Sequence, residues 1–352
     1  MKIQVLLKKT SDWLNGQGPE ADLVISSRIR LARNLKGHRF PARASVDERK
    51  DLLTKVEQAC HKIDILKGSL FIHIDELDEI DRQFLVERHL ISPELANADA
   101  GSSVIISNHE VVSIMVNEED HLRAQVLHSG LQLHEVWMML NELDSALEKQ
   151  LNFAFSGKLD YLTVCPTNVG TGMRASVMMH LPALVYSKQI NKVLQATVKL
   201  GLAVRGLYGE GSEALGNLFQ ISNQATLGMT EHEIIEHLTK VIRQILMYER
   251  NQRRYLINHN LKEVEDKVWR AYGSLSNARV ISSKETIGLL STLRMWIDLG
   301  ILDPVYRKEV NELMILTQPA NLQKSLDRKI ASNERDVERA SLIRSRLTKH
   351  SR

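Results

Sequence analysis

Four short segments carry side chains that a protein core would not select. They are Ser26-Ser27-Arg28-Ile29-Arg30, Asn117-Glu118-Glu119-Asp120-His121-Leu122-Arg123, the stretch from Cys165 to Ala175, and Arg205-Gly206-Leu207-Tyr208-Gly209-Glu210-Gly211. Each sets arginine beside small or β-forming residues at what reads as a strand end or a turn. In an extended strand Arg28 and Arg30 point to one face. Taken singly, each arginine is an ordinary surface cation. Together, several strand-end arginines could converge on a polyphosphate. Arginine suits that task because its planar fork pairs with phosphate oxygens two at a time and never loses its charge. Gly170, Gly172, Gly206 and Gly209 would let the backbone approach closely.

Familiar phosphate-binding patterns do not occur in the sequence. There is no G-x-x-x-x-G-K-[ST] loop, and neither the H-R-D nor the D-F-G of ordinary protein kinases. Gly170-Thr171-Gly172-Met173-Arg174-Ala175 fits G-x-G-x-x-A. A dinucleotide fold, however, needs a strand directly before the first glycine and an acid about 20 residues on. Cys165-Pro166-Thr167-Asn168 intervenes, and residues 188–191 hold no acid. His232-Glu233-Ile234-Ile235-Glu236-His237 looks like a zinc helix, but its histidines are five apart. Two helical ligands must be four apart to share a face, so a solvated helix face is the reading there.

The chain that must position these segments has 352 residues, enough for two domains or three. It is 43% apolar and 25% charged, the balance of a globular protein, which excludes disordered, collagen-like and disulfide-rich classes. Aromatics are only 5%, so the core must rest on Leu, Ile, Val, Met and Ala. Lys and Arg number 46 against 43 Asp and Glu, too small an excess to indicate a nucleic-acid binder. The excess sits in the tail: residues 324–352 hold nine basic and four acidic residues. No direct nucleic-acid binding is expected, because that tail lacks aromatic interleaving. Two cysteines make no disulfide framework, and Cys60 falls in an amphipathic stretch where it is packed. The N-terminal apolar run Ile3–Leu7 is too short for a signal peptide, and no stretch approaches the roughly 20 apolar residues of a membrane span. The reading is a cytoplasmic protein with reduced thiols and no membrane contact.

Val46–Leu66 has apolar residues at helical spacing. Ser103–Ile106 and Val111–Val116 read as a β-hairpin. Leu122–Leu151 reads as a long helical pattern, interrupted near Gly130, and Tyr161–Val164, Ala203–Arg205 and Leu218–Ile221 as short strands. Beyond Thr230, the runs Glu231–Leu256, Leu261–Tyr272, Lys284–Leu299 and Asn321–Leu347 are all helical, with no strand signal between them. The expectation is an α+β fold: an antiparallel β-sheet flanked by helices over residues 1–250, then an all-α domain over 251–352. The apolar Trp269, Leu289, Leu293 and Trp296 suit either a core or a dimer interface.

The run Cys165-Pro166-Thr167-Asn168-Val169-Gly170-Thr171-Gly172-Met173-Arg174-Ala175-Ser176-Val177 resembles the signature of the guanidino phosphotransferases, the phosphagen kinases. Asn117–Arg123, Arg205–Glu210 and Ser26–Arg30 are similar to three further motifs of that family. Only 27 residues precede Arg28, and a helical C-terminus is added. In both respects the chain resembles the bacterial protein-arginine kinase branch more than the small-metabolite kinases. Arg335-Asp336-Val337-Glu338-Arg339-Ala340 is similar to that branch's R-D-x-x-R-A phosphoarginine-binding motif.

The resemblance implies transfer of the γ-phosphoryl of ATP to protein arginines, with Mg2+ bound mainly through the nucleotide phosphates and no protein metal ligand assigned. Arg28, Arg30, Arg123, Arg174 and Arg205 would hold those phosphates. Ser26, Ser27, Ile29, Ala175, Ser176, Val177, Met178, Gly206, Leu207, Tyr208 and Gly209 complete the nucleotide-binding segments, and His89 lies near the nucleotide. Tyr208 stands where the metabolite kinases usually have another arginine. A guanidinium is a poor nucleophile while protonated. Two carboxylates, Glu119 as base and Glu210 as clamp, would orient it and take its proton, with Cys165 against it. Arg335, Asp336, Arg339 and Ala340 would bind phosphoarginine. The implied setting is a stress response in which labelled proteins are marked for degradation. The implied partners are protein substrates with accessible arginine, a zinc-containing activator, a heat-shock repressor, a Clp-type unfoldase–protease and a second copy of the chain in a homodimer. A kinase of free arginine or another guanidino metabolite, and a phosphoarginine-binding adaptor, are the alternatives.

Overall fold

The computed structural model describes residues 3–7, 11–206, 215–299 and 306–347. At its centre is β1 (Val24–Arg33), which pairs antiparallel with β5 (Leu122–Ser129) on one side and β8 (Met173–His180) on the other. β10 (Leu218–Asn223) and then β9 (Leu202–Arg205) extend the sheet past β8. β4 (Val112–Val116), β3 (Ser103–Ile106) and β2 (Leu70–His73) extend it past β5, so the eight-stranded order is β2-β3-β4-β5-β1-β8-β10-β9. Every pairing is antiparallel. A two-stranded ribbon of β6 (Phe155–Ser156) and β7 (Asp160–Tyr161) stands apart.

The expected long helix from Leu122 is a correction. Its first eight residues are β5. The segment alternates with period two: Ala124 and Val126 enter the core, while Arg123 and Gln125 face the opposite side. Apolar residues in such a strand also satisfy a helical window, and only pairing with both β1 and β4 decides between them. The strand ends where Gly130 takes φ 72°, a position at which a Cβ would lie 2.6 Å from the Pro19 carbonyl oxygen. α5 (Leu133–Glu148) follows. β2 and β8 were not foreseen as strands.

Three apolar cores surround the sheet. One face is backed by α2 (Val46–Cys60), α5, and the first half of α8 (Glu231–Asn277), which bury Leu53, Val56, Leu140, Leu143, Leu238 and Ile242 against Ile29, Leu31, Ala175 and Val177. α2 and α8 both open with a capping box, Ser45 with Glu48 and Thr230 with Glu233. α6 (Pro182–Tyr186) and α7 (Ile190–Lys199) connect β8 to β9. A second core lies on the opposite face. There the distal half of α8, past non-helical backbone at Asn260, packs with α9 (Ser283–Asp298), α10 (Tyr306–Leu316) and α12 (Ser332–Leu347) onto Ile25, Leu127, Met178 and Leu218. α11 (Pro319–Ser325) joins α10 to α12. A third core gathers α1 (Gln4–Leu7), α3 (Glu79–Glu87) and α4 (Pro93–Ala96) at the β2 edge.

Leu293 and Trp296 are internal core, whereas Trp269 is 56% exposed. The fully buried Arg294 of α9 donates to the carbonyls of Ala21 and Asp22 and to Asn311, tying the helical region to the chain entering β1. Among the described residues no helix is long and apolar enough to cross a membrane.

Candidate active site

Strand alternation sorts the signature residues to two sides. Arg28 and Arg30 on β1, Arg123 and Gln125 on β5, Arg174 and Ser176 on β8, and Gln220 on β10 project from one face. Arg30 is directly opposite Arg174, and Arg28 opposite Ser176. With Arg205 at the end of β9, these arginines line a cleft of about 810 Å3 that also holds Glu118, Glu119, Cys165 and His89. Ile29, Ala175 and Val177 point the other way into the core, so their side chains are not ligand contacts. Ser27 is also buried. Its hydroxyl donates to Gly130 O (2.8 Å) and accepts from Gln132 N (3.0 Å), which fixes the β5–α5 corner.

The cationic cluster is under electrostatic tension. Burial, then Arg123 and Arg174, push the Arg28 guanidinium down to about 10. Arg30 is driven well below the usual range by burial and by Arg28, Arg123 and Arg174, with Glu118 opposing. Arg28 donates to Gln220 Oε1 (3.0 Å), while Arg30 Nε has no hydrogen-bond partner. Half-buried like charges of this kind favour an anion. Below them the same face turns apolar. Trp13, Ile25, Leu127, Met178 and Leu218, capped by Met314 and Ile315 of α10, enclose a hollow of about 30 Å3 that shares Arg28, His89 and Gln220 with the cleft. Ser26 and Ser176 line it too. The His89 ring packs edge-on against Trp13 with centroids 5.5 Å apart. Burial and the neighbouring Arg28 and Arg30 push it down to about 3, so it is neutral.

The loop joining β4 to β5 divides its acids by role. Asn117, at φ 54°, donates to the carbonyls of Arg49 and Gly101. Asp120 accepts from Asn34 (2.6 Å) and from Val164 N (2.7 Å), anchoring the loop that carries Cys165. His121 accepts from Leu35 N and donates to Arg39 O. These three are scaffold. Glu118 and Glu119 enter the cleft. Burial pushes Glu118 up, but Arg123 at 2.6 Å and hydrogen bonds from Ser92 and the Glu119 amide outweigh it and hold the carboxyl below its usual range. Glu119 is raised, first by burial and then by Asp120 and Glu118. A cleft carboxyl held above its usual range, with no ion pair of its own among the described residues, is the type of group that serves as a general base. Sequence reasoning missed Glu118, although it sits in the same motif, and missed Gln220, which only its place in an apolar-alternating strand could have flagged.

Cys165 Sγ lies 2.9 Å from Thr167 Oγ1 at the cleft wall, on the turn Pro166–Asn168. The glycines beyond it serve packing rather than ligand approach. At Gly170, φ 108°, a Cβ would fall 2.3 Å from Thr226 O, and at Gly172, φ 64°, 2.6 Å from Ala32 O. The strand thus passes against β1 and the 226 segment only because these residues lack side chains. Glu210, Leu207, Tyr208 and Gly209 lie outside the described residues, and Gly206 is at their edge.

The residues of the expected phosphoarginine pocket lie on α12. Arg339 is 1% exposed and donates to the carbonyls of Thr317 (2.8 Å) and Ile281 (2.9 Å) and to Asp336, while Ala340 is fully buried. The carboxylate expected to receive a ligand guanidinium already holds that of Arg339, and Arg335 donates to Ile330 O. These bonds staple α12 to the loops before α9 and α11. Arg339→Ala is expected to lower stability by roughly 2–4 kcal/mol, less than for a wholly buried pair because Asp336 keeps some exposure. Urea unfolding measures this, and unchanged stability would contradict the staple. The basic tail is largely engaged as well. Arg328 pairs with Glu334 and Glu338, and Arg346 with Glu309 and Glu312.

Residues 51–252 match the family described as ATP:guanido phosphotransferase, C-terminal catalytic domain, and residues 261–352 match the protein-arginine kinase McsB C-terminal domain. Over 348 residues, 99% of each chain, the sequence is 51% identical to a protein-arginine kinase of Halothermothrix orenii. It is 48% identical to that of Brevibacillus brevis over 346 residues, 98% of this chain and 97% of that protein. The fold is similar to the duplicated taurocyamine kinase of Schistosoma mansoni with bound transition state analog components. The TM-score is 0.61 and the identity 28%, over 70% of this chain and 35% of that one. A lombricine kinase at 24% identity and TM-score 0.58, covering 67% of this chain and 68% of its own, shares the fold.

Proposed function

The chain belongs to the protein-arginine kinases of the guanidino phosphotransferase family, and from that premise we propose that it moves the γ-phosphoryl of ATP onto the guanidinium of arginine side chains in proteins. The observation that carries the reading is the single sheet face on which Arg28, Arg30, Arg123 and Arg174 meet beside Glu119. ATP fits this face. Its phosphates answer the cluster of like charges and the unpartnered Arg30 Nε, and its base lies in the cleft on the side of His89. Mg2+, bound with the nucleotide, screens the phosphate oxygens.

Phosphoryl transfer runs through a loose transition state with charge on the equatorial oxygens, so positioning and fixed cations do most of the work. Glu118 holds Arg123 in place by an ion pair. Glu119 pairs with the incoming guanidinium and takes the proton that leaves as nitrogen bonds to the γ-phosphorus, while the bond from that phosphorus to the β–γ bridging oxygen breaks and ADP leaves with its electron pair. Cys165, beside Thr167, flanks the acceptor. The wider role proposed with it is marking proteins for degradation in a stress response, together with an activator, a repressor and a Clp-type unfoldase–protease. A cytoplasmic setting accords with two cysteines that are both free.

Incubation with ATP, Mg2+ and casein is expected to give acid-labile phosphate on arginine, read by mass spectrometry under non-acidic conditions. Label on Ser or Thr overturns the proposal. Rapid turnover of free arginine without protein labelling would instead assign a metabolite kinase.

A further inference from the structure

We propose that His134, His232 and Glu236 form a surface site for a divalent transition-metal ion of the zinc type, separate from the catalytic cleft. His232 and Glu236 are four apart near the start of α8 and so share a face. His134, 98 positions earlier near the start of α5, is brought to that face by the packing of both helices behind the sheet. One ligand atom from each of the three lies within 4.8 Å of the others. His134 Nε2 is 2.9 Å from Glu236 Oε1, and the two imidazole centroids are 5.9 Å apart, tilted by 55°. His237, the partner that the sequence spacing suggested and excluded, donates instead to Leu200 O (2.9 Å).

The donor set selects the class of ion. Two imidazoles and one carboxylate suit zinc and its neighbours, whereas magnesium and calcium take all-oxygen cages. Bonds of about 2.0–2.1 Å to a tetrahedral ion place its donors roughly 3.3–3.4 Å apart. His134 Nε2 and Glu236 Oε1, 2.9 Å apart, are within half an ångström of one such edge. The other two need only side-chain rotation, which is open to these residues because all three are exposed. No charge is buried by the ion, and water completes its coordination. Bound there, the ion cross-links the N-terminal turns of α5 and α8. It therefore stabilises the folded chain by mass action, since the unfolded chain does not hold these residues together.

The helices concerned back the face opposite the arginines, so the site is independent of the kinase reading. Cys165 is a competing zinc ligand, and the test therefore uses the untagged full chain carrying Cys165→Ser. Zinc chloride titrated in a calorimeter without nucleotide is expected to bind one ion per chain and to raise the melting temperature. His134→Ala and His232→Ala should each weaken binding by at least the roughly 10–100-fold that loss of an outer-shell partner costs, and should abolish the thermal shift, with the circular dichroism of the metal-free protein unchanged. Glu236→Gln should weaken binding in the same direction. Absence of binding with zinc in several-fold excess overturns the proposal. So does stoichiometric binding that persists in the His134→Ala, His232→Ala double variant, which would place the ion elsewhere.

Discussion

Glu119→Gln is expected to reduce phosphoryl transfer by about 10²–10⁴-fold, the usual contribution of a positioned general base, while leaving the fold and nucleotide binding intact. The amide keeps the shape and one acceptor but cannot take a proton. The group's environment adds a pH signature. Burial, then Asp120 and Glu118, raise the Glu119 carboxyl above its ordinary range. A base works only when ionised, so kcat/KM should fall as pH drops through a value above that of an exposed glutamate. Asp120→Asn removes the largest of the neighbouring acidic charges, ahead of Glu118 and Glu94, and keeps an oxygen for Asn34 and Val164. The acid limb should then move to lower pH. A limb that stays in place, or full activity of Glu119→Gln, would remove Glu119 from the role of base.

Arg30→Met should show opposite effects on activity and stability. Transfer is expected to fall by about 10³-fold or more, the scale on which an arginine stabilises transition-state charge in this chemistry. The protein without nucleotide should become more stable. In the fold, Arg30 is charged against burial and against Arg28, Arg123 and Arg174, with only Glu118 opposing. Methionine keeps much of the stem's packing and removes that repulsion. The prediction is a higher melting temperature without ATP, together with loss of the stabilisation that ATP confers on the parent protein. A destabilised variant that still gains stability from ATP would show that Arg30 supports the sheet rather than the phosphates. Strain concentrated at the site and relieved by loss of function is the expected trade between activity and stability.

The β1 alternation, with Arg28 and Arg30 interleaved with Ile29 and Leu31, could be read from sequence because strand periodicity depends only on neighbouring residues. The same local logic makes the region after Thr230 helical, and capping at Thr230 and Glu233 confirms its start. It fails at Leu122–Ser129, where one apolar pattern satisfies two periods and pairing with β1 and β4 decides. It fails again at Arg339, whose charge and spacing by themselves read as a solvated helix face but which burial turns into an internal staple.

What the sequence determined by itself was the chemical inventory: arginines at strand ends, paired acids in one loop, a thiol before a glycine turn, and the order in which they occur. Which of them share a cavity was decided by the tertiary structure alone. Register placed Arg30 opposite Arg174, the β4–β5 loop assigned Glu118 to Arg123 and left Glu119 lining the cleft, and helix packing carried His134 to His232. Backbone preference is a property of adjacent residues, whereas the field and contacts at a side chain come from groups far along the chain, and only folding brings those together.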